Sequence, residues 1–423
     1  SRTDSHVICS LPFPFLCTLQ YCCSSSQHRP YVGGVPWSFS KYAPLGLLLA
    51  LQVVLIGNAD DPAVISVSDD RTIRVWARRD TGQYWPSVCY TMPAAASALN
   101  YDQPSRRLFV AMDNGSITEF ELADDLNKII FRRSYIAHQQ RVTSIKFSPT
   151  TEWLLSAGKD KYFQWHCTET GRRLGAFQGS AWCTTVELDE ASRHAFIGDY
   201  SGHVTMLKLT ETSYQPVTTL RGHSGSVQSL LWDERRNLLI SGSFDQVIIV
   251  WDIGGGKGTA YELSGHRARI TGLALYSASS LLSVSEDSTL VVWDVAAQRQ
   301  ETPDWNERDF CERCARPFFW NVRAMLDQKQ VGLRQHHCRR CGRALCDRCS
   351  ANRSALPRLG FEFPVRICDE CHLHISDGDR QPLASFHDLK APVTAMSLSA
   401  ASKTLVTVGT DRSIKIWDLS KVL

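Results

Sequence analysis

The feature that most constrains this chain is a repeat. The strings SDDRTIRVW, SFDQVIIVWD, SEDSTLVVWD and GTDRSIKIWD place Trp76, Trp251, Trp293 and Trp417 six positions after Asp70, Asp245, Asp287 and Asp411. A weaker copy, GKDKYFQWH, has Asp160 five positions before Trp165, and two degenerate copies end at Phe120 and Leu207, where another large apolar residue replaces Trp. Successive marks lie 44, 45, 42, 44, 42 and 124 residues apart. A fixed period of this size means a supersecondary unit stacked on copies of itself, since such a unit cannot bury its apolar face alone. Within a unit, apolar alternation over 142–147, the run at 154–156, a turn at Lys159-Asp160 and a second run into Trp165 read as short strands.

The last interval exceeds a normal 42 by 82 residues, the size of a small domain. Because the repeat resumes in register afterwards, the insert begins and ends close together and projects without breaking the array. The chain has 15 cysteines in 423 residues, too dilute for a disulfide scaffold, and eight of them fall in this surplus. They form four pairs: Cys311-x2-Cys314, Cys338-x2-Cys341, Cys346-x2-Cys349 and Cys368-x2-Cys371. Eight thiolates supply two tetrahedral sites of four, and C-x-x-C lets one turn aim two sulfurs at one metal. Two structural zinc ions are expected, with no coordination position left for a water. So short a segment, with few large apolar residues, depends on its metal to fold.

The repeat also carries Gly222-His223 before Trp251-Asp252 and Gly265-His266 before Trp293-Asp294, with His138 and His387 lacking the Gly. A 40–45 residue period with these marks resembles the WD40 β-propeller. The resemblance implies that His, turn Asp and Trp form a buried network that locks each blade: His223, Asp245 and Trp251; His266, Asp287 and Trp293; His387, Asp411 and Trp417. The expected fold is an all-β, seven-bladed propeller with a small two-zinc domain inserted between blades six and seven. Residues 46–302 are assigned to blades one to six, 303–376 to the insert and 377–423 to blade seven. Residues 1–45 read as an atypical segment, disordered or a mispredicted start, that does not look like the strand needed to complete the last blade. The apolar stretch 7–19 is broken by Pro12 and Pro14 and is not read as a signal peptide. The longest apolar run, 45–56, is too short to span a bilayer, which needs ~20 residues.

Between the zinc ligands runs Arg334-Gln-His-His-Cys-Arg339, followed later by Arg366-Ile-Cys368 and preceded by Trp305 with Asp309 nearby. This pattern is similar to the FYVE domain. The resemblance implies that Cys311, Cys314, Cys346 and Cys349 share one zinc and Cys338, Cys341, Cys368 and Cys371 the other. It also implies binding of the phosphatidylinositol 3-phosphate head group, with Arg334, Arg339 and Arg366 on phosphate, His336 and His337 on phosphate or ring hydroxyls, and Asp309 as the nearby acid. Arginine suits this task because its planar fork matches phosphate oxygens. Val331 and Leu333 match the loop that dips apolar side chains into the bilayer. Phe318, Phe319 and Trp320 read as core. Two departures from the family pattern are Gln335, where a second basic residue is usual, and Asp309, one place later than expected.

Lys+Arg 46 against Asp+Glu 43 gives the chain +3, too near neutral for a surface that coats nucleic acid. Residues 305–375 hold 13 basic and 8 acidic side chains, +5, so the rest carries −2. The positive charge is concentrated in the insert, as an anionic membrane surface requires. A RING-like ubiquitin ligase using the propeller as substrate receptor is the alternative; it would usually want a His at position 341 and leaves 334–339 unexplained. The Gly254–Thr259 region (GGGKGT) fails as a phosphate loop because Trp251 holds its first required glycine position. No nucleophile with a base, open metal site or paired carboxylates emerges, so an enzyme is not expected. The layout resembles the WD repeat and FYVE domain-containing proteins. That resemblance implies a cytosolic adaptor on the cytosolic face of early endosomes, whose propeller holds protein partners such as signalling kinases.

Overall fold

The computed structural model describes residues 39–44, 50–57, 62–79, 82–254 and 260–421. The apolar alternation resolves into seven antiparallel sheets of four propeller strands each. In chain order the sheets occupy 50–91, 96–136, 142–178, 183–221, 227–264, 270–294 with 384–388, and 393–418 with 39–44. Second strands such as Pro62–Ser68 and Trp153–Gly158 are buried along their whole length, since they face neighbouring sheets on both sides. Outer strands such as Tyr214–Arg221 are mostly exposed. Innermost strands are stitched from sheet to sheet: the Thr143 hydroxyl donates to Cys183 O at 2.7 Å and the Thr271 hydroxyl to Val393 O at 2.9 Å.

Ring closure corrects one expectation. Phe39–Pro44 pairs antiparallel with Ser413–Asp418, Phe39 opposite Trp417, and supplies the outer strand that the sequence of 1–45 did not suggest. Six residues with one bulge are too short for periodicity to register. The expectations for 1–38 and 45–49 lie outside the described residues.

The lock forms fully in sheets five and six. His223 Nδ1 lies 3.0 Å from Asp245 and Nε2 2.7 Å from Ser241 Oγ, which also accepts from the Trp251 indole at 2.8 Å. His266, Asp287, Ser283 and Trp293 repeat the pattern. Against the cost of burial, bonds from His266 and Thr289 hold the Asp287 carboxyl well below its usual range. In sheet seven the Trp417 indole donates to Thr407 at 2.8 Å and Asp411 pairs with Lys415 at 2.8 Å, while His387, on the fourth strand of sheet six, has its Nε2 3.1 Å from Ser385 Oγ. In sheet three, His166 and not Trp165 stands at the Trp position, because Leu154 opposes His166 as Leu239 opposes Trp251. A one-residue offset along a strand reverses the face. Trp165 therefore packs in the core shared with sheet four, while burial pushes the His166 imidazole down to about 4.

The insert leaves after Thr289–Asp294 and the chain returns as Ala384–Asp388, the fourth strand of the sixth sheet. It thus lies between repeat units six and seven, and within sheet six between its third and fourth strands. A hairpin of the insert, Arg353–Leu356 and Phe361–Arg366, extends sheet five through a parallel bridge from Phe361 to Ser264. The Ser264 amide donates to Gly360 O at 2.7 Å. Gly360 sits at φ +85°, and a Cβ there would lie 1.7 Å from Glu262 O, so this junction requires glycine. Arg299 donates to Pro357 O at 2.7 Å and Asp294 O at 3.0 Å, with the buried Glu362 carboxylate 3.9 Å away. Burial pushes the Glu362 carboxyl up to about 7 against the pull of Arg299. Phe363 packs on Phe386 with centroids 5.2 Å apart, under the Arg267 guanidinium at 4.8 Å.

Candidate functional site: a two-metal module with a basic rim

The eight thiols converge in two quartets, Cys311/Cys314/Cys346/Cys349 and Cys338/Cys341/Cys368/Cys371, with the sulfurs of each within 4.8 Å of one another. Cys314 and Cys346 sulfurs are 3.8 Å apart and those of Cys341 and Cys368 4.0 Å. A tetrahedral ion with bonds of about 2.3 Å to sulfur gives edges of about 3.8 Å, whereas a disulfide needs about 2.05 Å. The donor set therefore fits zinc, one ion per quartet. Backbone amides tie the two pairs of each quartet together: the amides of Cys346 and Cys368 donate to the sulfurs of Cys311 and Cys338, each at 3.3 Å. Although burial opposes it, backbone N–H donors bring the Cys311 thiol down to about 7. Burial and the neighbouring sulfurs push Cys341 up to about 11, because four thiolates crowd together unless a cation balances them.

Gly342, at φ +74°, follows the second pair, and a Cβ there would lie 2.1 Å from Asp304 O. That close approach brings the segment carrying Trp305 against the basic string. The indole of Trp305 stacks on His337 (5.0 Å, 15° between planes), with the Arg339 guanidinium 4.3 Å from its centroid. His337 Nε2 lies 3.0 Å from Asn306 O. The Arg339 amide donates to Arg366 O at 2.9 Å, joining the string to Phe361–Arg366. Arg366 is held by Asp347 at 2.7 Å and Ser350 O at 3.0 Å, and His336 Nε2 is 3.8 Å from the same Asp347. Burial, Arg366 and Arg334 keep the His336 imidazole below its ordinary value. Arg334 is exposed, without a hydrogen-bonded partner among the described residues.

Other candidate residues are distributed differently. Asp309 accepts from the Trp320 indole at 3.1 Å. Val331 is exposed, but Leu333 packs on the module core and bridges to Phe318. Phe318 is fully buried, as read from the sequence, whereas Phe319 and Trp320 are exposed, because the chain turns into the helix Val322–Gln328 directly after them. Sequence reasoning missed this helix, although Asn321 at its N-cap and Val322 and Leu326 one turn apart signal it. It also missed the Arg299–Glu362 junction, whose partners are far apart in sequence.

A family model described as FYVE zinc finger matches residues 302–377, and one described as WD domain, G-beta repeat matches 130–164, 214–252, 258–294 and 380–418. The chain is 48% identical over 375 residues to WD repeat and FYVE domain-containing protein 1 of Mus musculus, covering 88% of this chain and 91% of that protein. It is 49% identical over 364 residues to WD repeat and FYVE domain-containing protein 2 of Homo sapiens, covering 86% and 91%. To protein 2 of Caenorhabditis elegans it is 40% identical over 376 residues, covering 88% and 90%. Among solved structures, the WD40 β-propeller domain of Doa1 superposes with a TM-score of 0.61 at 16% identity, over 92% of this chain and 99% of that one, a likeness of fold. No helix among the described residues is long and apolar enough to cross a membrane. With two thiol quartets inserted in a seven-bladed ring, and with identity of this degree over most of its length, the chain belongs to the WD repeat and FYVE domain-containing protein family.

Proposed function

We propose that the protein is a phosphatidylinositol 3-phosphate-binding adaptor that brings protein partners to early endosomal membranes. The observation that carries this reading is the gathering of Arg334, His336, His337, Arg339 and Arg366 along one rim of the zinc module. A phosphomonoester with nearly two negative charges recruits the guanidinium forks, and the two imidazoles add directional donors. Asp309 offers its second carboxylate oxygen to a ring hydroxyl. Val331 reaches into the bilayer beside this rim; Leu333 supports it from the core. The module gives the cytosolic address on the endosome, and the propeller gives the partner surface. Trp182 and Tyr200, exposed and 5.3 Å apart, and Phe244 are contact candidates for signalling proteins such as protein kinases. Sedimentation with liposomes carrying different mono-phosphorylated inositides tests the reading. Selective binding to the 3-phosphate, lost in Arg334→Ala and Arg339→Ala, is expected; equal binding to all lipids, or no loss in the variants, overturns it.

A further inference from the structure

The zinc module exposes apolar side chains beyond the loop holding Val331. Of sixteen exposed large hydrophobic residues among the described ones, five fall between 319 and 331: Phe319 at 57%, Trp320 at 43%, Val322 at 57%, Leu326 at 73% and Val331 at 82%. Single exposed apolar residues need no explanation, but a cluster marks an interaction surface. The cluster is built, not frayed. Asn321 caps the helix Val322–Gln328 by accepting from the Ala324 amide, and Lys329 ends it in the left-handed conformation. Ala324 is buried and Met325 accepts from the Gly332 amide at 2.9 Å, so this side of the helix is committed to the module. Val322 and Leu326, one turn apart on the same face, are left pointing to solvent. The Phe319 amide donates to Leu333 O at 3.1 Å, which holds the two aromatic residues beside the Val331 loop.

Charge selects the occupant. Residues 316–334 carry Arg316, Arg323, Lys329 and Arg334 against Asp327 alone, and Arg323, Lys329 and Arg334 are exposed. An apolar face on a segment with four basic side chains and one acidic complements an anionic bilayer, where an amphipathic helix lies in the interface with its charges at the head groups. We propose that the helix Val322–Gln328, with Phe319 and Trp320, is a second membrane anchor that lies in the lipid interface beside Val331. The inference rests on the membrane reading above and extends it from head-group recognition to a separate, sequence-tolerant element.

The test compares the full chain with a Val322→Gln/Leu326→Gln variant, which keeps helix-forming residues and net charge. Three probes are used: vesicles of phosphatidylcholine and phosphatidylserine with phosphatidylinositol 3-phosphate, the same vesicles without the phosphoinositide, and the water-soluble head group inositol 1,3-bisphosphate. The variant should bind both vesicles about tenfold more weakly and penetrate monolayers only at lower surface pressure, with unchanged affinity for the soluble head group. Unchanged vesicle binding and penetration overturn the proposal and leave a protein partner as the occupant of this face. Failure of the unsubstituted chain to bind the soluble head group sinks head-group recognition instead, while the variant's loss on plain anionic vesicles would still support the anchor.

Discussion

The propeller and its insert bury different chemistry. The core shared by sheets one and two is aliphatic and aromatic, with Ile65, Ile73, Leu108 and Phe120 among its members, and that between sheets five and six contains Ile248, Leu281 and Trp293. In the insert's core cluster, four of the twelve buried residues are the metal-binding Cys311, Cys338, Cys346 and Cys368. Apolar burial contributes about 25 cal/mol per Å² whatever the metal supply, whereas thiolates packed together need a dication. One chain thus joins a ring stabilised by burial to a module stabilised by coordination, and a β-paired junction connects them.

The largest expected effect breaks the comparison outright. Chelation under reducing conditions should strip two zinc ions per chain and unfold the insert, because structural zinc supplies ~10–16 kcal/mol of apparent binding free energy in zinc-finger peptides. Amide hydrogen exchange should then rise across 311–375 and stay slow in sheets two to four. Concerted melting of both regions would show that they are one cooperative unit.

The junction is next. The folded-state value of about 7 for Glu362 lies above the ordinary 4.5, so the folded protein binds more protons between those values. The contribution of Glu362 is full below 4.5 and is lost as pH rises through 7. Calorimetry between pH 6 and 8 should show the insert and ring transitions separating as pH rises, by an effect of roughly 1–3 kcal/mol, and Glu362→Gln should flatten the trend. An identical slope in that variant removes the carboxyl from the explanation.

The smallest effect sharpens the contrast from the propeller side. Ser241→Ala leaves the buried Trp251 indole and His223 Nε2 without their shared partner, at a cost of roughly 1–3 kcal/mol. Thermal melting should shift down by a few degrees with zinc content unchanged. A fall in bound zinc would contradict the independence of the two regions.

The sequence reveals what depends on spacing. Seven units, one long interval and four C-x-x-C pairs are all counts along the chain, and the ring and both thiol quartets obey them. Features set by contact were hidden. Trp165 offered the expected residue type one place from the expected position, and strand register gave that position to His166. Phe39–Pro44 joins its sheet through backbone bonds, to which its side-chain pattern is no guide. Arg299 meets Glu362, and Gly360 meets Glu262, only because the insert folds back onto sheet five. At the rim, the basic string was legible as a motif, but the bond between Asp309 and Trp320 depends on where the added helix turns the chain.

The split of the sixth sheet also sets an order of events on the ribosome. Its third strand ends at Asp294 and its fourth begins at Ala384, so 89 residues, 295–383, must be synthesised before the sheet is complete. At about 5–20 residues per second that interval lasts roughly 4–18 s. Throughout it Thr289–Asp294, carrying Leu290, Val291, Val292 and Trp293, is an open edge of the kind that pairs with other chains. The insert emerges during the same interval, so metal capture by its eight thiols and exposure of that edge coincide in time.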